Sequence, residues 1–212
     1  MGLTHADWTM PSVRRFHELP GADGRIARGE RARLQVAEAM LALIYEGDLR
    51  PTAPRIAERA GVSLRSVFHH FDDLETLFEA AARLQTERVL ALVRPIDVAQ
   101  PLADRRSAFI AQRARVYEAV TPVRRAAMLS EHTSRVIAER LGMVRARKRA
   151  EAERIFAAEL AAFAPEERPR RARALAAAAS WMTWETLRAH QGLSVEEAEE
   201  VLGTMITAIL HR

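Results

Sequence analysis

The chain has 212 residues, 49% of them hydrophobic, enough for a small domain and one larger domain with its own core. It has no cysteine, which excludes disulfides, a thiolate zinc site and a cysteine nucleophile. With 32 basic and 28 acidic residues the net charge is only +4, so a role on nucleic acid must rest on local clusters of arginine rather than on global charge.

Met1–Gly29 carries Pro11, Pro20, Gly21, Gly24 and Gly29 with little periodicity and reads as a flexible arm bearing Arg14, Arg15, Arg25 and Arg28. Such an arm serves either as a minor-groove contact or as a solvated tail. A helix is expected over Arg31–Tyr45, where Leu34, Ala37, Leu41 and Ile44 recur at helical spacing and Gly47 stops them. Pro51, Thr52 and Pro54 open a second helix, with Thr52 as its N-cap and Pro54 tolerated in the first turn. Ile56 and Ala57 supply its apolar face, and the small Ala57 lets another helix cross closely. Gly61 ends it, because only glycine takes the left-handed conformation without a Cβ penalty. Ser63 then caps a third helix that turns Val67 and Phe71 inward and leaves Leu64, Arg65, Ser66, Phe68 and His69 outward or on the flanks. Two short helices and a tight turn in about twenty residues read as a helix-turn-helix, whose second helix lies in the DNA major groove with its N-terminal residues at base edges. Arg31, Arg33, Arg55, Arg59 and Arg65 cluster around it, where phosphates need neutralising.

From Arg31 to Phe78 the chain resembles the DNA-binding domain of TetR-type transcriptional regulators: a first helix, the helix-turn-helix, then Phe71-Asp72-Asp73-Leu74-Glu75-Thr76-Leu77-Phe78 opening a long fourth helix. Trp184-Glu185-Thr186-Leu187-Arg188 and Gln191-Gly192-Leu193-Ser194 resemble the join between the last two helices of many members. Thr52, Ser63 and His70 are similar to the family's phosphate-facing positions. Two departures stand out: the family usually has Tyr where Phe68 stands and Lys where Leu74 stands, both phosphate contacts. Backbone amides at the start of the fourth helix remain able to meet a phosphate. The resemblance implies a homodimer joined through its last two helices, a double-stranded DNA operator with an inverted repeat, an unknown small-molecule effector held between helices of the larger domain, and the role of a repressor released by that effector.

Beyond the head, helices are expected over Glu75–Val93, Leu102–Val120, Thr121–His132, Thr133–Phe163, Glu166–His190 and Ser194–Leu210. Thr121-Pro122 reads as a helix start, and Ser194-Val195-Glu196-Glu197 reads as a capping box. The last two helices are apolar on two faces: Leu175, Ala179 and Met182 beside Ala177, Trp181 and Trp184, then Val201, Met205 and Ile209 beside Leu202, Ile206 and Leu210. Such helices need two packing partners, which again points to a two-fold homodimer. Phe109, Tyr117, Met128, His132, Met143, Trp181 and Trp184, with Phe156 and Phe163, are the candidates to line an effector cavity, the expected occupant being an apolar or aromatic small molecule.

No catalytic residue is expected and no cofactor or metal site. The seven histidines form no His-x-x-x-His or Glu-x-x-His pair. Ser130, Glu131 and His132 are consecutive on a helix and diverge by about 100° each, so they form no relay. No apolar run has the length of a signal peptide or membrane span; Ala172–Trp184 is mostly alanine and contains Arg173. A soluble cytoplasmic protein without a membrane partner is therefore expected.

The expected fold is all-α: an arm over 1–29, a helix-turn-helix DNA-binding domain over 30–77, and a helical effector-binding and dimerisation domain over 78–212. The alternative is a helical protein-interaction or ligand-sequestering module without DNA binding, which Phe68 and Leu74 favour.

Overall fold

A computed structural model describes residues 23–211, and among them all regular structure is helical, with no strand. The head consists of α1 (Asp23–Tyr45), α2 (Ala53–Ala60), α3 (Leu64–His70) and the first turns of α4 (Leu74–Leu90). The body follows with α5 (Leu102–Met128), α6 (Arg135–Ile155), α7 (Ala157–Ala161), α8 (Arg168–Ala178) and α9 (Trp181–Glu185). A π-helical turn, Thr186–His190, continues α9 and leads to α10 (Val195–Leu210). No helix among the described residues is long and apolar enough to cross a membrane.

Apolar periodicity places two cores. In the head Val36, Leu41 and Ile44 of α1 pack with Ile56 of α2, Val67 of α3, Phe71, and Leu77 and Ala81 of α4. Val123 and Ala126 of α5 join this same cluster. In the body Phe109, Val116 and Tyr117 of α5 pack with Ile155, Phe156, Leu175, Trp184, Leu202 and Ile206. Each large side chain withdrawn this far from water stabilises the fold by about 1.5–3 kcal/mol.

The helix starts and stops follow local chemistry. Gly61 adopts φ 65°, and the amides of Gly61 and Val62 close the end of α2 on the carbonyls of Glu58 and Ala57. At α10 the Ser194 hydroxyl accepts from the Glu197 amide at 3.1 Å while the Glu197 carboxylate accepts from the Ser194 amide at 2.7 Å, the expected capping box.

Several expected boundaries are corrected. The arm expected over 1–29 lies outside the described residues as far as residue 22, but Asp23–Gly29 is helical and belongs to α1 rather than to an arm. Gly24 and Gly29 disfavour helix by roughly 1 kcal/mol each and so mask this extension in the sequence. Thr52 occupies the N-cap position of α2 in extended backbone, yet its hydroxyl makes no capping bond. Pro54 at the second helical position lacks one of the two amides that a cap would reach. Thr121-Pro122 starts no helix: Pro122 lies inside a continuous α5. The turn before it is held from outside, since the Tyr45 hydroxyl and Gln85 Nε2 both donate to the Ala119 carbonyl, at 2.8 and 2.9 Å.

The helix expected over Thr133–Phe163 is split at Phe156 into α6 and α7, and Ser134 caps α6. The apolar period runs through the break because Ile155, Phe156 and Leu160 all stay buried. The helix expected over Glu166–His190 breaks at Ala179 and Ser180, where Ser180 caps α9 and the Ala179 carbonyl freed by the break accepts from the Tyr117 hydroxyl at 2.6 Å. Tertiary partners thus satisfy the backbone groups that the breaks release.

One half-buried ion pair ties the start of α5 to α7. Arg105 Nη2 lies 2.5 Å from Glu159 Oε1, and the same guanidinium donates to the carbonyls of Gln100 and Ile155. The Arg105 hydrogen bonds hold the Glu159 carboxyl below the usual carboxylate range. That contribution is present above an unfolded carboxylate pKa of about 4.3 and is lost as pH falls through the depressed folded value. Glu159→Gln should therefore lower stability by about 1–3 kcal/mol at pH 7, because it leaves the Arg105 charge with carbonyl acceptors alone. Urea unfolding should show this gap closing as pH drops below about 4, where the wild-type pair is itself being protonated.

Candidate functional site

The outer face of the head is built by α2 and α3. Ser63 sits in extended backbone and its hydroxyl accepts from the Ser66 amide at 3.1 Å, which fixes where α3 begins. With Val67 and Phe71 each 1% exposed on the inner side, the helix can turn only Leu64, Arg65, Phe68 and His69 to solvent, and all four are exposed. Ser66 and His70 lie at the margin, half-buried, and Thr52 and Ser63 are exposed at the starts of the two helices. The nine expected contact residues therefore gather on or beside one surface of α2 and α3.

Their charges are unequal in availability. Arg65 makes no hydrogen bond or ion pair with any described residue, leaving its fork free for an external acceptor. Arg55 is paired with Asp48 at 2.5 Å and Arg59 with Glu46 at 2.5 Å. Arg33 donates to the His70 carbonyl at 2.9 Å and lies 4.5 Å from the centre of the Phe71 ring, bracing the end of α3 against α1. Of the expected basic cluster, Arg33, Arg55 and Arg59 thus fasten the head together. The signal for this was Glu46 and Asp48 in the short connection after α1.

Asp73 caps α4 by accepting from the Thr76 amide at 2.7 Å, and hydrogen bonds from that residue hold its carboxyl below the usual range. Leu74, Leu64 and Phe68 are exposed at 37%, 43% and 49%, which gives this surface an apolar character alongside Arg65.

The body contains a cavity of about 660 Å³ between α4, α5, α6 and the α8–α9 break. Ala82, Thr86 and Val89 of α4, Val116, Val120 and Arg124 of α5, and Arg140, Val144 and Lys148 of α6 line it, each set at helical spacing on one face. Among the residues expected to line a cavity, Tyr117 and Trp181 do so. Phe109 packs edge-on against Phe156 with ring centres 5.3 Å apart, and Trp184 is buried with its Nε1 donating to Glu118 at 2.8 Å. Met128 packs half-buried against the body core, His132 is exposed after α5, and Met143 is 67% exposed on α6. Apart from Phe78, Tyr117, Trp181 and Met182, the walls consist of residues that aromatic and methionine content does not mark. The pattern that marks them is the four-residue spacing of Val116, Val120 and Arg124 on α5 and of Arg140, Val144 and Lys148 on α6.

Burial shapes the ionisation of the cavity lining. It pushes the Tyr117 phenol up and the Arg124 and Arg140 guanidinium groups down. Lys148 is drawn down to about 8, chiefly by burial and then by the neighbouring charge of Arg113.

Residues 37–81, from α1 through the first half of α4, match the sequence profile of bacterial regulatory proteins of the tetR family. No curated protein matches the chain. The whole fold is similar to the crystal structure of a transcriptional regulator from Rhodococcus sp. Rha1, at 20% identity over 86% of this chain and 95% of that one, with a TM-score of 0.64. It is also similar to the crystal structure of a protein from Mesorhizobium loti MAFF303099 assigned to the TetR family of transcriptional regulators, at 19% identity over 86% of this chain and 96% of that one, with a TM-score of 0.58. At these identities the likeness is one of fold.

Proposed function

We propose that this chain, whose residues 37–81 match the tetR-family profile and whose fold is similar to those of solved transcriptional regulators, acts as a homodimeric repressor. In this reading it grips an inverted-repeat DNA operator and lets go when a small molecule enters the cavity of the body. The observation that carries the reading is the double use of α4: Leu77 and Ala81 sit in the head core, while Phe78, Ala82 and Thr86 line the cavity.

A molecule wedged against α4 must displace either the cavity wall or the head, because close-packed side chains leave no slack between them. Gln85 is the polar link: it lines the cavity and donates to the Ala119 carbonyl that Tyr45 at the end of α1 also uses. Release requires that the effector bind better to a spacing of the two heads that misfits successive major grooves. A mobility shift with the chain's own upstream DNA, with and without candidate effectors, tests the whole reading.

The dimer is supported by α10. Leu202, Ile206 and Leu210 face the body core, Val201 and Ile209 pack half-buried at its edge, and Met205 is left half-exposed beside them. Ile206 is 0% exposed, so an arginine there would break the monomer core before it tested an interface. Met205→Arg is the informative change: it should keep the helical circular dichroism, give monomers by sedimentation and abolish tight operator binding. A wild-type monomer at micromolar concentration would remove the basis for a palindromic operator.

A second reading, a helical interaction module without DNA binding, is favoured by the exposed apolar side chains of Leu64, Phe68 and Leu74. Base reading separates the two. Arg65 is the long charged donor in the first turn of α3, so Arg65→Ala should cost about 1–3 kcal/mol on the operator and relax preference at one position per half-site. Uniform weakening on every sequence would assign Arg65 to phosphate instead.

The missing phosphate anchors generate a further expectation. Leu74→Lys should raise affinity for all DNA and steepen the dependence of log affinity on log salt by roughly one unit. Phe68→Tyr should raise affinity with little change in slope, because a phenol adds a hydrogen bond and no charge. A salt titration by fluorescence anisotropy reads both.

A further inference from the structure

The cavity is apolar in wall and cationic in charge. Arg124, Arg140, Arg145, Arg147, Lys148 and Arg149 line it, and Glu151 is the one carboxylate among its lining residues. Glu151 is already committed, with Arg113 Nη1 at 3.2 Å and Lys148 Nζ at 3.3 Å. Arg145 is held by Glu131 at 2.6 Å, and Arg140 donates to the Ala82 carbonyl and the Thr86 hydroxyl, each at 2.8 Å.

Arg124 is different. Its guanidinium carbon lies 5.5 Å from the centre of the Trp181 ring, and its Nε is buried with no hydrogen-bond partner. It forms no ion pair with any described residue. A guanidinium cannot shed its proton to escape burial, and a buried donor left unpaired is destabilising. The Glu131 carboxylate acts on it only at longer range, so an arriving anion would supply both a direct acceptor and a close counter-charge. The direction in which burial moves Arg124, Arg140 and Lys148 is that of cations gathered where water and counter-charge are scarce.

We propose that the cavity takes an amphiphilic monoanion, a carboxylic acid whose carboxylate pairs with Arg124 beside Trp181 and whose apolar body lies along Val89, Val116 and Val120. The planar fork of arginine matches a carboxylate through two parallel hydrogen bonds, and the volume falls in the range of sites for molecules of this size. This assignment rests on the cavity being the effector site, as set out above, and names the chemistry of the effector.

Titration calorimetry on the full chain tests it with decanoate and 2-naphthoate, the neutral 1-decanol and 2-naphthol, and the cationic decylamine. At least one acid should bind at least tenfold more tightly than its alcohol, with decylamine weaker still, and the acid that binds tells an aliphatic body from an aryl one. Arg124→Met keeps the side-chain stem and should erase the gap between acid and alcohol, whereas Arg124→Lys should retain part of it. Binding of neither acid, equal affinity for acid and alcohol, preference for decylamine, or an undiminished gap in Arg124→Met overturns the proposal. The wild-type comparison and Arg124→Lys decide the matter even if Arg124→Met fails to fold.

Mobility shifts run in parallel keep this proposal separate from the repressor reading. Acid binding that leaves the DNA complex intact refutes release and preserves the ligand class. Release by 1-decanol as readily as by decanoate preserves the regulator and removes the acid.

Discussion

The structure depends on one helix being held by two cores. The first four turns of α5 belong to the body through Phe109, Val116 and Tyr117, and Val123 and Ala126 further along it belong to the head. Pro122 stands at the divide, where it can donate no ladder hydrogen bond. There the Ala119 carbonyl receives Tyr45 from α1 and Gln85 from α4, and Arg50 Nη2 donates to the Leu129 carbonyl past the end of α5 at 3.1 Å. The position of the head is therefore set by side-chain donors reaching into α5 as well as by apolar packing. A change in how α5 and α4 meet has a direct mechanical route to α1.

That arrangement explains why the cavity lies where it does. Its walls are the other faces of the helices that carry the head, α4 and α5, closed by α6 and by the break between α8 and α9. The break is specified by polar groups: Ser180 caps α9, the Tyr117 hydroxyl takes the Ala179 carbonyl, and Trp181 Nε1 donates to the Thr121 hydroxyl at 2.9 Å. Trp181 is thereby fixed next to Arg124, so the unpartnered cation and the aromatic face beside it come from the same local irregularity. Buried polar groups that are fully paired hold a geometry rigidly.

The head distributes its arginines between structure and surface. Arg33, Arg55 and Arg59 are spent on bracing α1, α2 and α3, which orients the outer face of α3 and leaves few free cations on it. Exposed pairs of this kind add little to stability, so their main effect is on geometry and on the local field. Arg65 stands on the braced helix with apolar Leu64 and Phe68 around it. Recognition by such a face leans on shape and on a small number of directed hydrogen bonds more than on charge.

The helix-turn-helix was legible in the sequence because its determinants are local: Gly61 for a left-handed backbone, Ser63 for a cap, and Val67 and Phe71 one turn apart for a buried face. The all-α class and the capping box at Ser194 were legible for the same reason. The continuation of α5 through Pro122, the breaks at Phe156 and Ala179, and the missing capping bond at Thr52 were decided by tertiary partners or by a missing amide, which local pattern does not encode. The cavity was the least legible feature. Tyr117 and Trp181 line it while Phe109 and Trp184 are core, a distinction that depends on how helices far apart in sequence are set against one another. The same holds for the arginines: residue type places charge on a helix, but only the fold decides that Arg59 meets Glu46 and that Arg124 forms no ion pair with any described residue.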